Sequence, residues 1–203
     1  MTLNMKLEDG NVFRGDLTIT SLGYEAFNKR EKILSNGGSA EYAGKFQKVL
    51  SELIISDYSI ENLEDVSKPL IEKMKVESKL EVSNPSVIYL NPFMVERWEK
   101  NPLKSPHRMY PVDFGAPVET SFMLNLEYPA QYVVEELPPN AAVALPQGGG
   151  RYLFNATNQG NKITLSSLIN LSKTVYLPDE YPALREMYNR VVQLHQSQVV
   201  FKR

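Results

Sequence analysis

The 203-residue sequence predicts a mainly β protein: an antiparallel β-sandwich with two helices inserted near the N-terminus and one helix at the C-terminus. Three observations lead there. Period-two alternation of apolar and polar residues recurs more often along the chain than helical spacing. Turn signals such as Asp9-Gly10 lie between alternating runs, as hairpins require. The strict strand-helix alternation of a parallel sheet is missing.

Leu3, Met5 and Leu7 share one face before Asp9-Gly10, and alternation resumes through Leu17 and Ile19, which gives a hairpin. From Tyr24 to Leu34 the period changes. Tyr24, Phe27 and Leu34 fall on one helix face, and the Asn-Gly-Gly at 36–38 supplies the stop. A second helix follows along SAEYAGKFQKVLSEL, with Ser39 as the expected cap and Tyr42, Phe46, Val49, Leu50 and Leu53 as a core-facing stripe. Strands resume at IISDYSI, PLIEKMKVES, KLEVS and SVIYLN, the last closed by Pro92, and a short helix is expected around Met94 to Lys100.

The second half reads as extended nearly to its end. VETSFMLNLEY points Phe122, Leu124 and Leu126 inward; QYVVEEL, a turn-rich LPQGGG, RYLFNA and the turn NQGN follow. Ile163, Leu165, Ile169, Leu171, Val175 and Leu177 keep one parity, which predicts a single long strand, bent or bulged. In PDEYPALREMYNRVVQLHQ, Asp179 and Pro182 suit a helix start, and Leu184, Tyr188, Val191 and Leu194 form the buried face. The closing VVFKR is expected at a sheet edge. These readings amount to roughly nine or ten strands. No repeat, low-complexity tract or charge block marks a linker, so residues 1–203 are read as one domain; a subdivision, if present, falls between 1–91 and 92–203.

Composition narrows function mostly by exclusion. The chain carries 22 basic and 24 acidic residues, net charge −2, so there is no basic excess to neutralise a nucleic-acid backbone. With no cysteine, disulfides, thiolate zinc sites and a cysteine nucleophile are all excluded. His107 and His195 are the only histidines, and neither has a spacing that puts two metal ligands on one face. No metal and no cofactor are expected. No apolar run of about 18 residues is present, so membrane insertion is not expected. The polar MTLNMKLEDG is not a secretion signal, although a targeting segment could lie upstream of Met1. Serine chemistry lacks the GxSxG turn, and QGGGRY lacks the Lys-Ser/Thr of a phosphate loop. The neighbouring Glu135 and Glu136 point to opposite faces of a strand, one of them toward solvent.

One segment concentrates chemistry-bearing side chains. SPHRMYPVDFGAP, 105–117, holds His107, Arg108, Tyr110 and Asp113, framed by Pro106 and Pro111, which hold the backbone extended on the way into the strand at Val118. Arg108 suits a carboxylate clamp, with Asp113 or a group from another element as partner. Two roles are open for this segment and the nearby Trp98: tying down the start of a strand, or docking a neighbouring domain.

The succession EDGNVFRGDLTITSLGYEAFNKR, IENLEDVSKPL, NPF, NPLKSPHRMYPVDFGAP, YVVEELP and YLPDEYPALREMYNRVVQLHQSQVVFKR resembles, over essentially the whole chain, the C-terminal β-domain of large transglutaminase-like proteins of Bacteroidetes. Its most specific parts are RMYPVDFG and DEYPALREMYNRVV. The resemblance implies an N-terminal β-domain, then a papain-like core with a Cys-His-Asp triad, then a tail domain of unknown function like this chain. The triad lies in the preceding core, and none of it can be carried onto a sequence without cysteine. What the resemblance implies is therefore a non-catalytic accessory module, with the upstream core as its partner, in a periplasmic or cell-envelope parent. The alternative is a β-sandwich module that binds glycan or peptide through outward aromatics such as Trp98, Tyr110 or Tyr152. An enzyme in its own right would need a nucleophile and a base that converge.

Overall fold

The structure is a computed structural model that describes residues 1–8, 11–50, 52–80, 86–95 and 97–203. Its frame is an eight-stranded sheet built from β1 (Thr2–Leu7), β2 (Val12–Ser21), β3 (Ile54–Glu61), β4 (Leu70–Lys79), β7 (Val118–Glu127), β9 (Ala141–Ala144), β10 (Gly150–Gln159) and β11 (Lys162–Leu171). The order is β3-β4-β2-β1-β7-β11-β10-β9. Every neighbouring pair is antiparallel except β1 and β7, which run parallel and join the two halves of the sequence. A three-stranded sheet adds β5 (Val87–Leu90), β8 (Val133–Glu136) and β13 (Val199–Lys202), and β6 (Val112–Asp113) pairs with β12 (Val175–Tyr176). The helices are α1 (Gly23–Ser35), α2 (Ser39–Val49) and α3 (Tyr181–His195). The predicted mainly β, sandwich-like class is the observed one.

One face of the large sheet is covered. Leu3, Met5, Leu7, Phe13, Leu17 and Ile19 point into the core from the first hairpin, as do Phe122, Leu124 and Leu126 from β7. Leu184, Tyr188, Val191 and Leu194 of α3 meet them from the second layer, as the helical spacing predicts. The hairpin turn at Asp9-Gly10 and the stretch 81–83 of KLEVS lie outside the described residues, and so does the side chain of Val49.

Several expectations fail for identifiable reasons. Ser39 is the first helical residue of α2, not its cap; Gly38 holds the cap position and makes no side-chain bond. Among the described residues of Met94 to Lys100 there is no helix, because their polar backbone is satisfied from α3 instead. The segment after Ile163 is not one strand. It breaks at 172–174 and restarts one residue out of phase, so Tyr176 is buried while Val175 and Leu177 face solvent. VVFKR is not at an edge: β13 lies between β5 and β8, and Val199, Val200 and Phe201 are all buried. β9 was not foreseen, since a four-residue alanine-rich run flanked by Pro139 and Pro146 carries little strand signal. Those prolines and the brevity of β9 also blunt that edge against further pairing.

The opposite edge is shaped by a bulge. The β3–β4 register shifts between Ser56 and Ser59, and Asp57 takes a left-handed conformation with φ 51°. Without that extra residue Ile55, Tyr58 and Ile60 could not share a face. With it, all three turn toward the helices.

Two partly buried carboxylates fasten loops. Lys173 and the Leu177 backbone N–H both donate to Glu180, at 2.5 and 2.9 Å, and hold its pKa below the ordinary carboxylate range. The Ser67 hydroxyl, Lys68 and the Ser67 N–H do the same for Asp65. A depressed folded-state pKa contributes stability that is present above the unfolded value and lost as pH falls through the folded one. Acid titration of the unfolding midpoint should therefore steepen below about pH 4, and Asp65→Asn with Glu180→Gln should flatten that limb while leaving its neutral shape unchanged.

Gly15 is the tightest point of the sheet. A Cβ there would lie 1.8 Å from the Asn4 carbonyl oxygen, a backbone atom that cannot swing away. Gly15→Ala should lower unfolding free energy by about 2–3 kcal/mol in a denaturant titration, whereas Gly44→Ala, where a Cβ meets nothing within 4 Å, should not destabilise the chain.

Candidate functional site

The described residues of 91–108 run as a strap along α3, tied to it and its C-cap at residues 91, 98, 99, 101, 103 and 105. Asn91 donates to the His195 carbonyl (2.9 Å) and accepts from the Phe93 N–H (2.8 Å). Gln196 donates to the Glu99 carbonyl at 3.0 Å, and Asn101 to the Arg185 carbonyl at 2.9 Å and Asn189 Oδ1 at 2.7 Å. Arg185 Nε reaches the Leu103 carbonyl at 3.1 Å, and the Tyr181 hydroxyl the Ser105 carbonyl at 2.5 Å. The strap thus follows the helix backwards from its C-terminus to its N-terminus.

The sequence-predicted residues separate on this strap. Trp98 is half-buried, stacked on Tyr188 at 5.1 Å and edge-on to His195 at 6.3 Å. Arg108 finds its partner on another element, the Tyr181 ring at 5.8 Å, and makes no ion pair with Asp113. Asp113 instead accepts the Gly115 N–H at 2.8 Å, closing the turn that leads toward β7. Tyr110 is 80% exposed and Met109 89%. Tyr152 is fully buried and cannot belong to an outward aromatic platform. Both Glu135 and Glu136 are exposed, since β8 lies at the edge of its sheet, and Lys202 pairs with Glu135 at 3.2 Å.

Folding brings one serine and one histidine together that spacing did not connect. Ser167 Oγ lies 3.5 Å from His195 Nε2, and both residues are buried. The tautomer follows from the other ring nitrogen. Nδ1 accepts the Trp98 backbone N–H at 3.3 Å, so in the neutral ring the proton sits on Nε2 and points at Ser167. A catalytic pair needs the reverse, an Nε2 lone pair free to take the hydroxyl proton. Phe93 stacks on the ring at 3.7 Å, and the adjoining cavity of about 10 Å³ holds at most one water. His195 therefore serves as a pin between strap and sheet. Burial pushes the nearby phenols of Tyr152 and Tyr188 up to about 12.

A second buried polar cluster lies under the N-terminal helices, where sequence reading named no site. Glu72 is fully buried; Lys29 of α1 donates to one carboxylate oxygen at 2.6 Å and the Tyr58 hydroxyl to the other at 2.7 Å. Burial, then the bond to Glu72, raises the Tyr58 phenol far above its usual range, and burial with the Glu72 charge raises Tyr42. The signal was in the sequence: Leu70, Glu72, Met74 and Val76 share one parity, so a carboxylate was bound to be buried wherever that face is covered. Beside it Arg30, also buried, donates to the carbonyls of Asn62, Leu63, Asp65 and Lys68.

Comparison with known proteins gives one family. The description "Domain of Unknown Function with solved-structure structure (DUF3858)" matches residues 86–201, more than half of the chain. This chain belongs to the DUF3858 family. No curated protein matches it. Among solved structures, a "putative protease" from Parabacteroides distasonis ATCC 8503 shares 15% identity over 49% of this chain, with a TM-score of 0.42. The present chain covers 19% of that protein.

The stretch matched to DUF3858 contains the strap, α3 and the His195 pin; α1 and α2 precede it. On α1 Tyr24, Phe27 and Leu34 form the expected stripe, and it faces solvent at 79, 52 and 61% exposure, together with Leu22 just before the helix at 65%. The buried face is Ala26, Arg30 and Ile33, because the Arg30 and Lys29 bonds require that side to face the sheet. In this DUF3858 chain, Glu72→Leu strands Lys29 and Tyr58 and should cost about 3 kcal/mol in chemical denaturation. The triple replacement Glu72→Leu, Lys29→Met, Tyr58→Phe should recover most of that loss.

Proposed function

We propose that this chain is a non-catalytic accessory module that docks onto the upstream core of a larger transglutaminase-like protein of the bacterial cell envelope. The resemblance set out above motivates the partner and the compartment. One observation carries the docking role: the large apolar side chains Leu22, Tyr24, Phe27 and Leu34 that α1 and its N-cap present to solvent. Monomeric surfaces seldom gather such residues on one element without a partner. Because Arg30 and Lys29 fix the inner face of α1, the stripe is held in place rather than free to roll inward. Tyr110 and Met109, just past the anchored strap, form a second outward pair. The buried orientation of Ser167 and His195 favours a non-catalytic reading, since the nucleophile and base of a hydrolase would need the opposite proton arrangement.

Calorimetric titration of this chain into the separately expressed remainder of its parent tests the reading. Saturable binding is expected, and Tyr24→Ser with Phe27→Ser should weaken it at least about tenfold, the loss of roughly 1.4 kcal/mol, without lowering the unfolding midpoint. Full affinity in that variant, or no binding by the folded native chain, would refute the α1 docking surface.

A further inference from the structure

The chain has no cysteine, so its oxidisable sulfur lies in seven methionines, and the fold shelters them unequally. Met5, Met74, Met94 and Met187 are buried, and Met1 is partly covered. Met123 is 41% exposed on the open face of β7. Met109, at 89%, is the most exposed large apolar side chain among the described residues. The backbone around it is held on both sides. Before it, the Tyr181 hydroxyl donates to the Ser105 carbonyl at 2.5 Å and Arg108 lies over the Tyr181 ring; after it, Val112 pairs with Tyr176. Drawing Met109 under cover would break one of these anchors.

We propose that Met109 is an oxidation site through which a peroxide switches the surface formed by Met109 and Tyr110 from apolar to polar with the fold intact. The sulfur lone pair takes one oxygen of the peroxide as the O–O bond breaks. With hydrogen peroxide the products are the sulfoxide and water, two electrons having passed from sulfur to the oxidant. The sulfur must touch the oxidant, and a close-packed interior keeps so polar a molecule from the four buried methionines. At Met109 the sulfoxide puts a polar, chiral group beside the exposed Tyr110. Little packing is lost, because little of the Met109 side chain is packed. A thiol reductant that supplies two electrons and two protons restores the thioether and releases water, so the change is reversible. Its effect on docking rests on the accessory-module reading above, since an oxidised pair has less apolar surface to bury.

Dilute hydrogen peroxide followed by peptide mass mapping of the full chain tests the site. Met109 should gain one oxygen at least about tenfold faster than any buried methionine, and ahead of Met123. The oxidised chain should keep its unfolding midpoint and elute earlier from a hydrophobic-interaction column. Met109→Leu should elute at one position before and after the same treatment. Equal or faster oxidation of another methionine, a lowered midpoint, or unchanged retention of the oxidised chain would overturn the proposal. In calorimetric titration into the remainder of the parent, oxidation should cost at least about tenfold in affinity, and Met109→Leu should resist that loss. Unchanged affinity after oxidation would overturn the switch in docking, whereas no binding by the untreated chain would refute the docking reading and leave the oxidation site standing.

Discussion

Everything in this fold hangs on the parallel pairing of β1 with β7. On one side of that seam lie β2, β4 and β3, all contributed by the first 80 residues; on the other lie β11, β10 and β9. Each group is connected within itself by antiparallel neighbours, and neither offers a full face for the second layer. The register Leu3↔Leu124 and Met5↔Leu126 aligns their inward side chains into one floor. A slip of one residue would turn Leu3, Met5 and Leu7 to solvent, so burial of that face fixes the register. Gly15 belongs to the same constraint, since β2 can lie against β1 only where no Cβ meets the Asn4 carbonyl.

Upon that floor the second layer is placed by polar groups as much as by apolar ones. Apolar packing is non-directional and would accept α1 rolled so that Tyr24 and Phe27 faced inward. What excludes that arrangement is Arg30 among four carbonyls and Lys29 against Glu72, since an unpaired buried charge costs several kcal/mol. His195 acts likewise at the other end. Its ring fits between Phe93 and Ser167 only if the Trp98 N–H faces Nδ1, and this sets the phase of the strap along α3. These contacts stabilise one arrangement over its near competitors more than they stabilise folding as such.

The same division explains what could be read from the sequence. Alternation reports a half-buried strand, and it located β1, β2, β4, β7, β10 and β11 because each has one covered and one open face. The α3 stripe was legible for the same reason. Periodicity does not report which face is covered, however, and α1 shows the consequence: its stripe was found, but that it faces solvent is visible only in the fold. β13 was taken for an edge because four residues at a terminus carry no information on how many neighbours they have. In the 105–117 segment, the extended lead into a strand was legible from its prolines. That Arg108 would choose the Tyr181 ring over Asp113 was not, since it depends on where α3 begins.

The chemistry-rich segment shows why residue types alone mislead about function. Of its polar groups, Asp113 is consumed in a local turn and the carbonyl of Ser105 in holding the strap, and Arg108 lies over the Tyr181 ring of α3. What remains exposed to another molecule is His107 together with Met109 and Tyr110, and a search for proton-transfer groups would pass over Met109. The same holds on α1, where the ionic residues are turned in and the aromatic ones out. In both places internal polar bonds immobilise a backbone that carries solvent-facing apolar side chains. A partner meeting such a surface orders few groups on binding, so more of the apolar burial is retained as affinity. Rigid support beneath exposed hydrophobic side chains thus lowers the ordering cost of any contact made there.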